Sequence, residues 1–167
     1  FSEKARSKFT EVEPLSIIAA LAIAIQAGVP ILTWGPPGVG KTATINMLAA
    51  ELDLPLEVVL ASIREPADFS GLPVIREHGV SMEPPAWACR LARAEKGLLF
   101  LDEISTAPPA VQAALLRVVL ERVVGDLTLP PGISVVASAN PPEQAVGGWE
   151  LTAPLANRFC HLYWSLD

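Results

Sequence analysis

The sequence predicts an α/β sandwich: a central, mainly parallel five-stranded sheet with helices on both faces and one inserted β-hairpin. Short apolar runs alternate with helical segments, a pattern typical of parallel strands joined by helices. The length of 167 residues corresponds to one domain, and 51% hydrophobic residues can form a sizeable core. The whole chain is therefore expected to fold as one unit, residues 1–167.

The elements follow from local composition. The predicted strands are apolar and bounded by Gly, Pro or charged residues, and they lie at 29–34, 56–61, 98–103, 133–140 and 160–164. Two shorter strands around His78-Gly79 predict a hairpin over residues 72–85 with Arg76, Glu77 and His78 at its tip. The predicted helices lie at 14–27, from the glycine-rich segment to about Leu52, at 86–95 and at 108–123.

Composition excludes several classes of protein. The net charge of -6 disfavours a surface for nucleic-acid backbone, which needs clustered Lys and Arg. The apolar stretch 15–28 is too short to span a bilayer. Cys89 and Cys160 lack metal-binding spacing and are expected to be free thiols of a cytoplasmic protein. The chain starts at Phe1 and ends just after a predicted strand, so we expect it to be part of a longer protein.

A phosphate-binding motif follows the first strand. The segment "GPPGVGKT", residues 35–42, fits G-x-x-x-x-G-K-[ST] between a strand and a helix. Its backbone N–H groups and the helix N-terminus would hold phosphate oxygens, Lys41 would reach the β- and γ-phosphates, and Thr42 would bind Mg²⁺. A simple Gly-Pro turn would explain the glycines but not Lys41 and Thr42. The predicted nucleotide-binding residues are Gly35, Pro36, Pro37, Gly38, Val39, Gly40, Lys41, Thr42, Ala43 and Asp102.

Two carboxylates follow the buried strand "LLFLDE". Asp102 and Glu103 lie at its carboxyl end, where open α/β sheets bind ligands. Asp102 is predicted to hold Mg²⁺ with Thr42, and Glu103 to polarise the attacking water. The alternative is a solvated strand end without a chemical role.

Asn140 and Arg158 complete the predicted catalytic set with Lys41 and Glu103. Asn140 ends the strand "ISVVASAN" and could hydrogen-bond a γ-phosphate and a water, although Asn before Pro is also ordinary turn chemistry. Arg158, in "APLANRF", has no acidic residue near it in sequence apart from Glu150 and Asp167. It either forms a surface ion pair, with Glu150 the best candidate, or acts on a neighbouring subunit.

With these motifs placed, the sequence resembles an AAA+ ATPase core of the P-loop NTPase class, and more narrowly the MoxR family, from about Val29 to Tyr163. "GPPGVGKT" resembles the family's Walker A motif, "LLFLDEIS" its Walker B motif (98–103), "SAN" its sensor 1 (Asn140) and "PLANRF" its arginine-finger block (153–159). The narrower likeness depends on residues 102–124 and on "EPADFSGLPV", 65–74, which leads into an inserted hairpin.

The resemblance implies ATP and Mg²⁺ as ligands and a ring, often a hexamer, that remodels or activates a protein client. Clients of this family often carry a von Willebrand factor A domain. The exposed polar end of the predicted hairpin either reaches a client or the pore, or is only a solvated loop. The resemblance also implies a helical lid with a sensor 2 arginine, which we expect to be missing or to lie on a segment outside residues 1–167.

Two other functions remain open at this stage. One is a nucleotide-gated scaffold that binds ATP without hydrolysing it, against which Glu103 and Asn140 argue. The other is a DNA-acting AAA+ motor, against which the net charge of -6 argues.

Overall fold

A computed structural model describes residues 16–144 and 149–164. Its central sheet has five strands in the order β2-β5-β8-β1-β9, and all neighbouring strands are parallel. These strands are β1 (Ile31–Trp34), β2 (Leu56–Leu60), β5 (Lys96–Asp102), β8 (Gly132–Ala139) and β9 (Cys160–Tyr163). The predicted fold class is confirmed, and the five predicted core strands are present.

Helices cover both faces of the sheet. They are α1 (Ile17–Gln26), α2 (Lys41–Glu51), α3 (Ala67–Ser70), α4 (Ala86–Ala94), α5 (Pro109–Glu121) and α6 (Ala153–Ala156). Alternate residues of each strand point to opposite faces, so the core has two parts. In β5, Leu98 and Phe100 pack with α1 and α2, whereas Leu99 and Leu101 pack with α4 and α5. No helix of the described ranges is long and apolar enough to cross a membrane.

The ends of two helices differ from the prediction. Ser16 caps α1 by accepting a hydrogen bond from the backbone N–H of Ala19, and Pro14, the predicted first residue, lies outside the described residues. Helix α5 was predicted to reach residue 123 but ends at Glu121. Arg122 takes a left-handed conformation there, and its guanidinium donates hydrogen bonds to the carbonyls of Pro130 and Ile133 at 2.7 and 2.6 Å.

The inserted hairpin is formed by β3 (Leu72–Arg76) and β4 (Gly79–Glu83), as predicted. We predicted that Arg76 lies at its tip with Glu77 and His78, which is wrong for Arg76. Arg76 pairs with Gly79 in the ladder, and its guanidinium folds back onto Ser81 and Glu83. Only Glu77 and His78 form the turn.

The sequence did not reveal a second small hairpin, β6 (Val123–Val124) and β7 (Leu127–Thr128). It supports the base of the inserted hairpin: Asp126 accepts a hydrogen bond from the Met82 N–H at 2.7 Å, and its own N–H donates to the Met82 carbonyl at 2.8 Å. A Cβ on Gly125 would lie 2.5 Å from the Met82 carbonyl oxygen, so only glycine allows this close approach.

Candidate active site

The glycine-rich segment connects β1 to α2 at the carboxyl edge of the sheet. Gly38 and Gly40 have φ values of 80° and 87°, which belong to the left-handed region that glycine adopts without strain. Gly40 is also the N-cap of α2, so the loop delivers its backbone directly to the helix N-terminus. This geometry orients backbone N–H groups for binding an anion.

Lys41 is the first residue of α2 and is 8% exposed. Its ammonium donates hydrogen bonds to the carbonyls of Gly35 and Pro36 at 2.6 and 3.0 Å, and to Asn140 Oδ1 at 3.4 Å. Burial lowers the pKa of Lys41, and the carboxylates of Asp102 and Glu103 partly oppose this shift. The loop thus holds the Lys41 ammonium near the ends of β5 and β8, where the predicted catalytic residues Glu103 and Asn140 lie.

Asp102 lies opposite the start of α2. The Thr42 hydroxyl donates a hydrogen bond to Asp102 Oδ2 at 3.0 Å, which brings the two predicted Mg²⁺ ligands together. Asp102 Oδ1 accepts hydrogen bonds from the Glu103 N–H at 3.0 Å and from the Ser138 hydroxyl. Because β5 and β8 are neighbours, Ser138 can hold the acidic strand end from the side.

The donor set around Thr42 and Asp102 fits magnesium. Hydroxyl and carboxylate oxygens are the ligands that Mg²⁺ prefers, and it is usually held by one or two protein groups plus substrate phosphates. The described residues contain no cluster of three or more His, Cys, Asp and Glu side chains suited to a metal. A site shared between Thr42, Asp102 and nucleotide phosphates agrees with this composition.

Glu103 follows the last residue of β5 in a left-handed conformation, with φ of 56°. This is an uncommon conformation for a non-glycine residue, and such residues are frequent at functional sites. Its Oε2 accepts a hydrogen bond from the Ser62 hydroxyl at 2.9 Å. Ser62 lies just after β2, the next strand in the sheet, so the carboxylate is held between two strand ends.

Asn140 directly follows β8. Its N–H donates a hydrogen bond to the Ser105 hydroxyl at 3.1 Å, which fixes the backbone, while its side-chain oxygen faces Lys41. A cavity of about 270 Å³ joins these groups. It is lined by Pro37, Gly38, Gly40, Lys41, Thr42, Ala43, Asp102, Glu103 and Asn140. Of the predicted site residues, Gly35, Pro36, Val39 and Arg158 do not line it.

Arg158 lies elsewhere on the surface, two residues after α6. Two side chains nearby in sequence, Leu155 and Phe159, are 0% and 8% exposed and anchor the segment in the core. Arg158 itself is exposed, and no ion pair among the described residues includes it. Glu150, the predicted alternative partner, is therefore not paired with it.

Comparison with known proteins decides the family. The model of the ATPase family associated with various cellular activities (AAA) matches residues 30–161, which is most of the chain and runs from β1 into β9. The chain belongs to this AAA ATPase family. It is an ATPase domain, and nucleotide binding is a property of this family.

Two relatives of this AAA domain are named for different functions. It is 32% identical over 126 residues to the denitrification regulatory protein NirQ of Stutzerimonas stutzeri, covering 70% of the domain and 44% of that protein. It is also 32% identical over 158 residues to the Holliday junction branch migration complex subunit RuvB 1 of Synechococcus sp. (strain JA-3-3Ab), covering 90% of the domain and 37% of that protein.

Solved structures show the same fold. One described as an ATPase of Cytophaga hutchinsonii aligns with a TM-score of 0.63 at 28% identity, over 88% of the domain and 44% of that chain. A RuvB variant of Thermotoga maritima aligns with a TM-score of 0.61 at 23% identity, over 90% of the domain and 45% of that chain. The AAA domain thus spans less than half the length of each of these four proteins.

Several polar residues of the site were not predicted from the sequence. Ser62, Ser105 and Ser138 contact Glu103, Asn140 and Asp102. Ser105 and Ser138 lie within the motifs "LLFLDEIS" and "SAN" but were given no role, and Ser62 belongs to no motif. The position of Ser138 on a strand adjacent to β5 carries a signal, since a polar residue in an apolar run needs a buried partner. The role of Ser62 could not be predicted in this way, because its contact with Glu103 depends on β2 and β5 being neighbours in the sheet.

Proposed function

We propose that this AAA domain binds ATP with Mg²⁺, hydrolyses it at the interface between neighbouring subunits of a ring, and uses the hydrolysis to remodel or activate a protein client. The observation that carries the proposal is a division of the predicted polar groups between two places. All nine residues that line the cavity belong to the predicted set, whereas Arg158 is exposed on another part of the surface and has no ion-pair partner among the described residues. The polar side chains of the cavity are Lys41, Thr42, Asp102, Glu103 and Asn140.

Nucleotide binding is assigned to the loop, Lys41 and the Thr42–Asp102 pair. The loop N–H groups bind phosphate oxygens, and Lys41 exchanges its carbonyl partners for the β- and γ-phosphates. Thr42 and Asp102 would hold Mg²⁺, which neutralises charge on the phosphates when bound. In this role the Thr42–Asp102 hydrogen bond would be replaced by shared ligation of the ion.

Hydrolysis is assigned to Glu103 and Asn140. Glu103 orients a water and accepts its proton as the water oxygen attacks the γ-phosphorus and the bond to the leaving oxygen breaks. Asn140 lies 3.4 Å from the Lys41 ammonium through its side-chain oxygen, so its amide N–H₂ remains available for a phosphate oxygen or the water. A pure nucleotide switch would need neither group, which argues against a scaffold without turnover.

Arg158 is assigned to the neighbouring subunit's γ-phosphate. An arginine supplied in trans stabilises charge on the transferring phosphoryl group and contributes about 10³–10⁵ in rate. A surface ion pair would contribute only about 0–1 kcal/mol to stability. The absence of such a pair among the described residues favours the trans role.

A mixing experiment tests this assignment in the full-length protein. Arg158→Ala and Glu103→Gln should each keep ATP binding and lose most turnover when assayed alone. Mixed together, they should recover part of the activity, because some interfaces then combine an intact Glu103 with an intact Arg158. Steady-state phosphate release measures turnover, and titration with ATP measures binding. Unchanged turnover in Arg158→Ala would refute the trans role, and wild-type turnover in Glu103→Gln would refute the assignment of the base.

We propose that the domain is of the MoxR type, on the basis of the motifs at 65–74 and 102–124. We also propose that residues 1–167 form the ATPase core and that a lid lies elsewhere in the protein. A ring, with six subunits as the expected number, agrees with an arginine that acts in trans. A regulatory relative, NirQ, supports a protein client over a metabolic substrate. The family resemblance supports a client with a von Willebrand factor A domain. The free cysteines, Cys89 and Cys160, support a cytoplasmic location.

A DNA-acting motor is the second candidate, because a branch-migration subunit matches over 90% of the domain. The net charge of -6 opposes it, since binding to DNA backbone requires clustered cations. A DNA-binding titration at several salt concentrations separates the two. Binding that weakens steeply with salt would support the DNA-acting motor, and absence of binding at low salt would support the protein client.

A further inference from the structure

A buried amide lies between the acidic strand end and the segment that carries Arg158. The side chain of Gln112, on α5, is 0% exposed. Its amide nitrogen donates hydrogen bonds to the carbonyls of Ala107 and Glu150 at 3.0 and 3.1 Å. Its oxygen accepts one from the N–H of Thr152, the N-cap of α6, at 2.8 Å. The amide thus uses both of its N–H groups and fixes the point at which α6 begins.

A histidine holds the other end of α6. His161 Nε2 lies 2.8 Å from the carbonyl oxygen of Ala156, the last residue of α6, and its Nδ1 lies 3.0 Å from Trp34 Nε1. The Trp34 indole can only donate, so Nδ1 is the acceptor and Nε2–H donates to Ala156. Trp34 directly precedes the phosphate-binding segment at Gly35. The histidine therefore connects the start of that segment to the end of α6, two residues before Arg158.

Helix α6 needs such anchors because it has four residues. A helix of one turn has a very unfavourable nucleation step and is not stable on its own. Leu155 and Phe159 anchor it by burial, but apolar contacts are not directional and do not set the direction of an exposed side chain. Hydrogen bonds from Gln112 and His161 to main-chain atoms at both ends are directional and fix the backbone.

We propose that Gln112 and His161 are positioning residues that fix Arg158 for its role at the neighbouring subunit. The inference rests on the proposed function, in which Arg158 acts in trans. A displacement of about 1 Å of a catalytic group can cost about 10²-fold in rate. Loss of either anchor should therefore lower turnover by about 10- to 100-fold, less than loss of Arg158 itself.

The test is a double-mutant cycle in the full-length protein. Gln112→Leu and His161→Phe remove the hydrogen bonds and retain most of the side-chain volume. Each is made alone and together with Arg158→Ala, and kcat is measured beside ATP affinity. Each single variant should lose kcat with unchanged ATP affinity and should cause no further loss in the Arg158→Ala background. Losses that multiply in that background, or an equal fall in ATP affinity, would overturn the positioning role.

A matched control lies at the end of α5, the helix that contains Gln112. Arg122 follows the last residue of α5 and donates hydrogen bonds to the main-chain carbonyls of Pro130, before β8, and Ile133, in β8. Arg122→Met should destabilise the domain without the kcat effect. An equal loss of kcat in Arg122→Met would show that the effect reflects general stability. If Arg158→Ala alone has wild-type turnover, the trans role itself fails, and that outcome is recognised before the cycle is completed.

Hydrogen exchange provides a readout that does not depend on assembly or activity. The N–H groups of Asn157 and Arg158 donate to the carbonyls of Ala153 and Leu155. In Gln112→Leu, or in the unbranched Gln112→Met should the former not fold, exchange in the peptide covering these residues should become about tenfold faster, because the hydrogen bonds that oppose local opening there are lost. Strands β5 and β8 should keep their protection. Unchanged exchange near Arg158 would overturn the proposal.

Discussion

Lys41 is a buried cation whose hydrogen-bond partners in the free protein are carbonyls of its own loop. Burial lowers its pKa below the ordinary value of 10.5, so the folded protein binds this proton less tightly than the unfolded chain. Between the lowered pKa and 10.5, the contribution of Lys41 makes the free energy of unfolding rise with pH. Under the proposed function, the residue that supplies positive charge for ATP therefore lowers the stability of the free domain.

Replacing Lys41 by methionine should separate these two effects. We expect Lys41→Met to abolish ATP binding, because no other cation of the described residues lines the cavity, and to remove the rise in unfolding free energy as the pH approaches 10.5. Calorimetric titration with ATP and urea unfolding at several pH values measure both. Lys96→Met, which alters an exposed ion pair with Asp53, is the control and should change neither. Retained ATP affinity in Lys41→Met would exclude the assigned phosphate site.

Ser138 orients Asp102, which is a proposed magnesium ligand. Its hydroxyl donates to Asp102 Oδ1, and residues that orient metal ligands typically contribute about 10- to 100-fold in metal affinity or activity. Ser138→Ala should raise the Mg²⁺ concentration required for half-maximal turnover by about tenfold. Ser134→Ala on the same strand removes a buried hydrogen bond to the Ile25 carbonyl and is the matched control. An equal Mg²⁺ requirement in the two variants would contradict the role of Ser138.

The residues that could be predicted and those that could not differ in the range of their interactions. Lys41, Thr42, Asp102 and Glu103 belong to contiguous motifs at a strand end, so their position follows from the strand alone. Gln112 lies on an amphipathic helix, and two of its three partners lie 38 and 40 residues away in sequence. Such a residue becomes recognisable only after the loop before α6 has been placed against α5.

At the scale of elements, the buried strands were predictable because both faces of the sheet are covered. Strands β5 and β8 are almost entirely buried, so they appear in the sequence as continuous apolar runs. Helix α3 and the two-residue strands β6 and β7 have no such signal. They exist through tertiary hydrogen bonds, such as that from the Gly125 N–H to the Phe69 carbonyl at 3.2 Å.

The inserted hairpin has two chemically different faces. Arg76, Ser81 and Glu83 form a hydrogen-bonded polar face, whereas Ile75 and Val80, which are paired across the strands, point the other way and are 87% and 65% exposed. Exposed apolar side chains of this size on a supported hairpin are suited to contacting a client. This differs from the sequence expectation, which assigned contact to the polar turn.

We expect Ile75→Thr combined with Val80→Thr to spare basal ATPase and to reduce client-stimulated activity, since threonine keeps the strand propensity and removes apolar contact area. Phosphate release with and without client is the measurement. Glu77→Ala combined with His78→Ala alters only the turn and should leave both activities near wild type. If the turn variant alone loses client stimulation, contact occurs through the polar turn. Loss of basal ATPase in the threonine variant would show that the hairpin supports the core.

At the scale of the whole molecule, a site divided between two subunits makes turnover depend on assembly. A single chain offers the cavity with Glu103 and Asn140 but, under the proposed function, receives its arginine from a neighbour. ATP binding uses only groups of one chain and should be independent of protein concentration. Hydrolysis should not be, because the fraction of cavities that face an Arg158 rises with association.

Turnover per chain should therefore rise with protein concentration and reach a plateau as the ring forms, by up to the 10³- to 10⁵-fold that an arginine in trans contributes. Native mass spectrometry across the same concentrations gives the degree of assembly, and the two curves should coincide. Arg158→Ala should assemble over the same range while its turnover stays low and flat, because it forms the interface without the guanidinium. Wild-type protein that hydrolyses ATP at the plateau rate while monomeric would contradict the trans role. Such turnover would require an arginine from the same chain, and Arg158 is exposed and lies outside the cavity that holds Lys41 and Glu103.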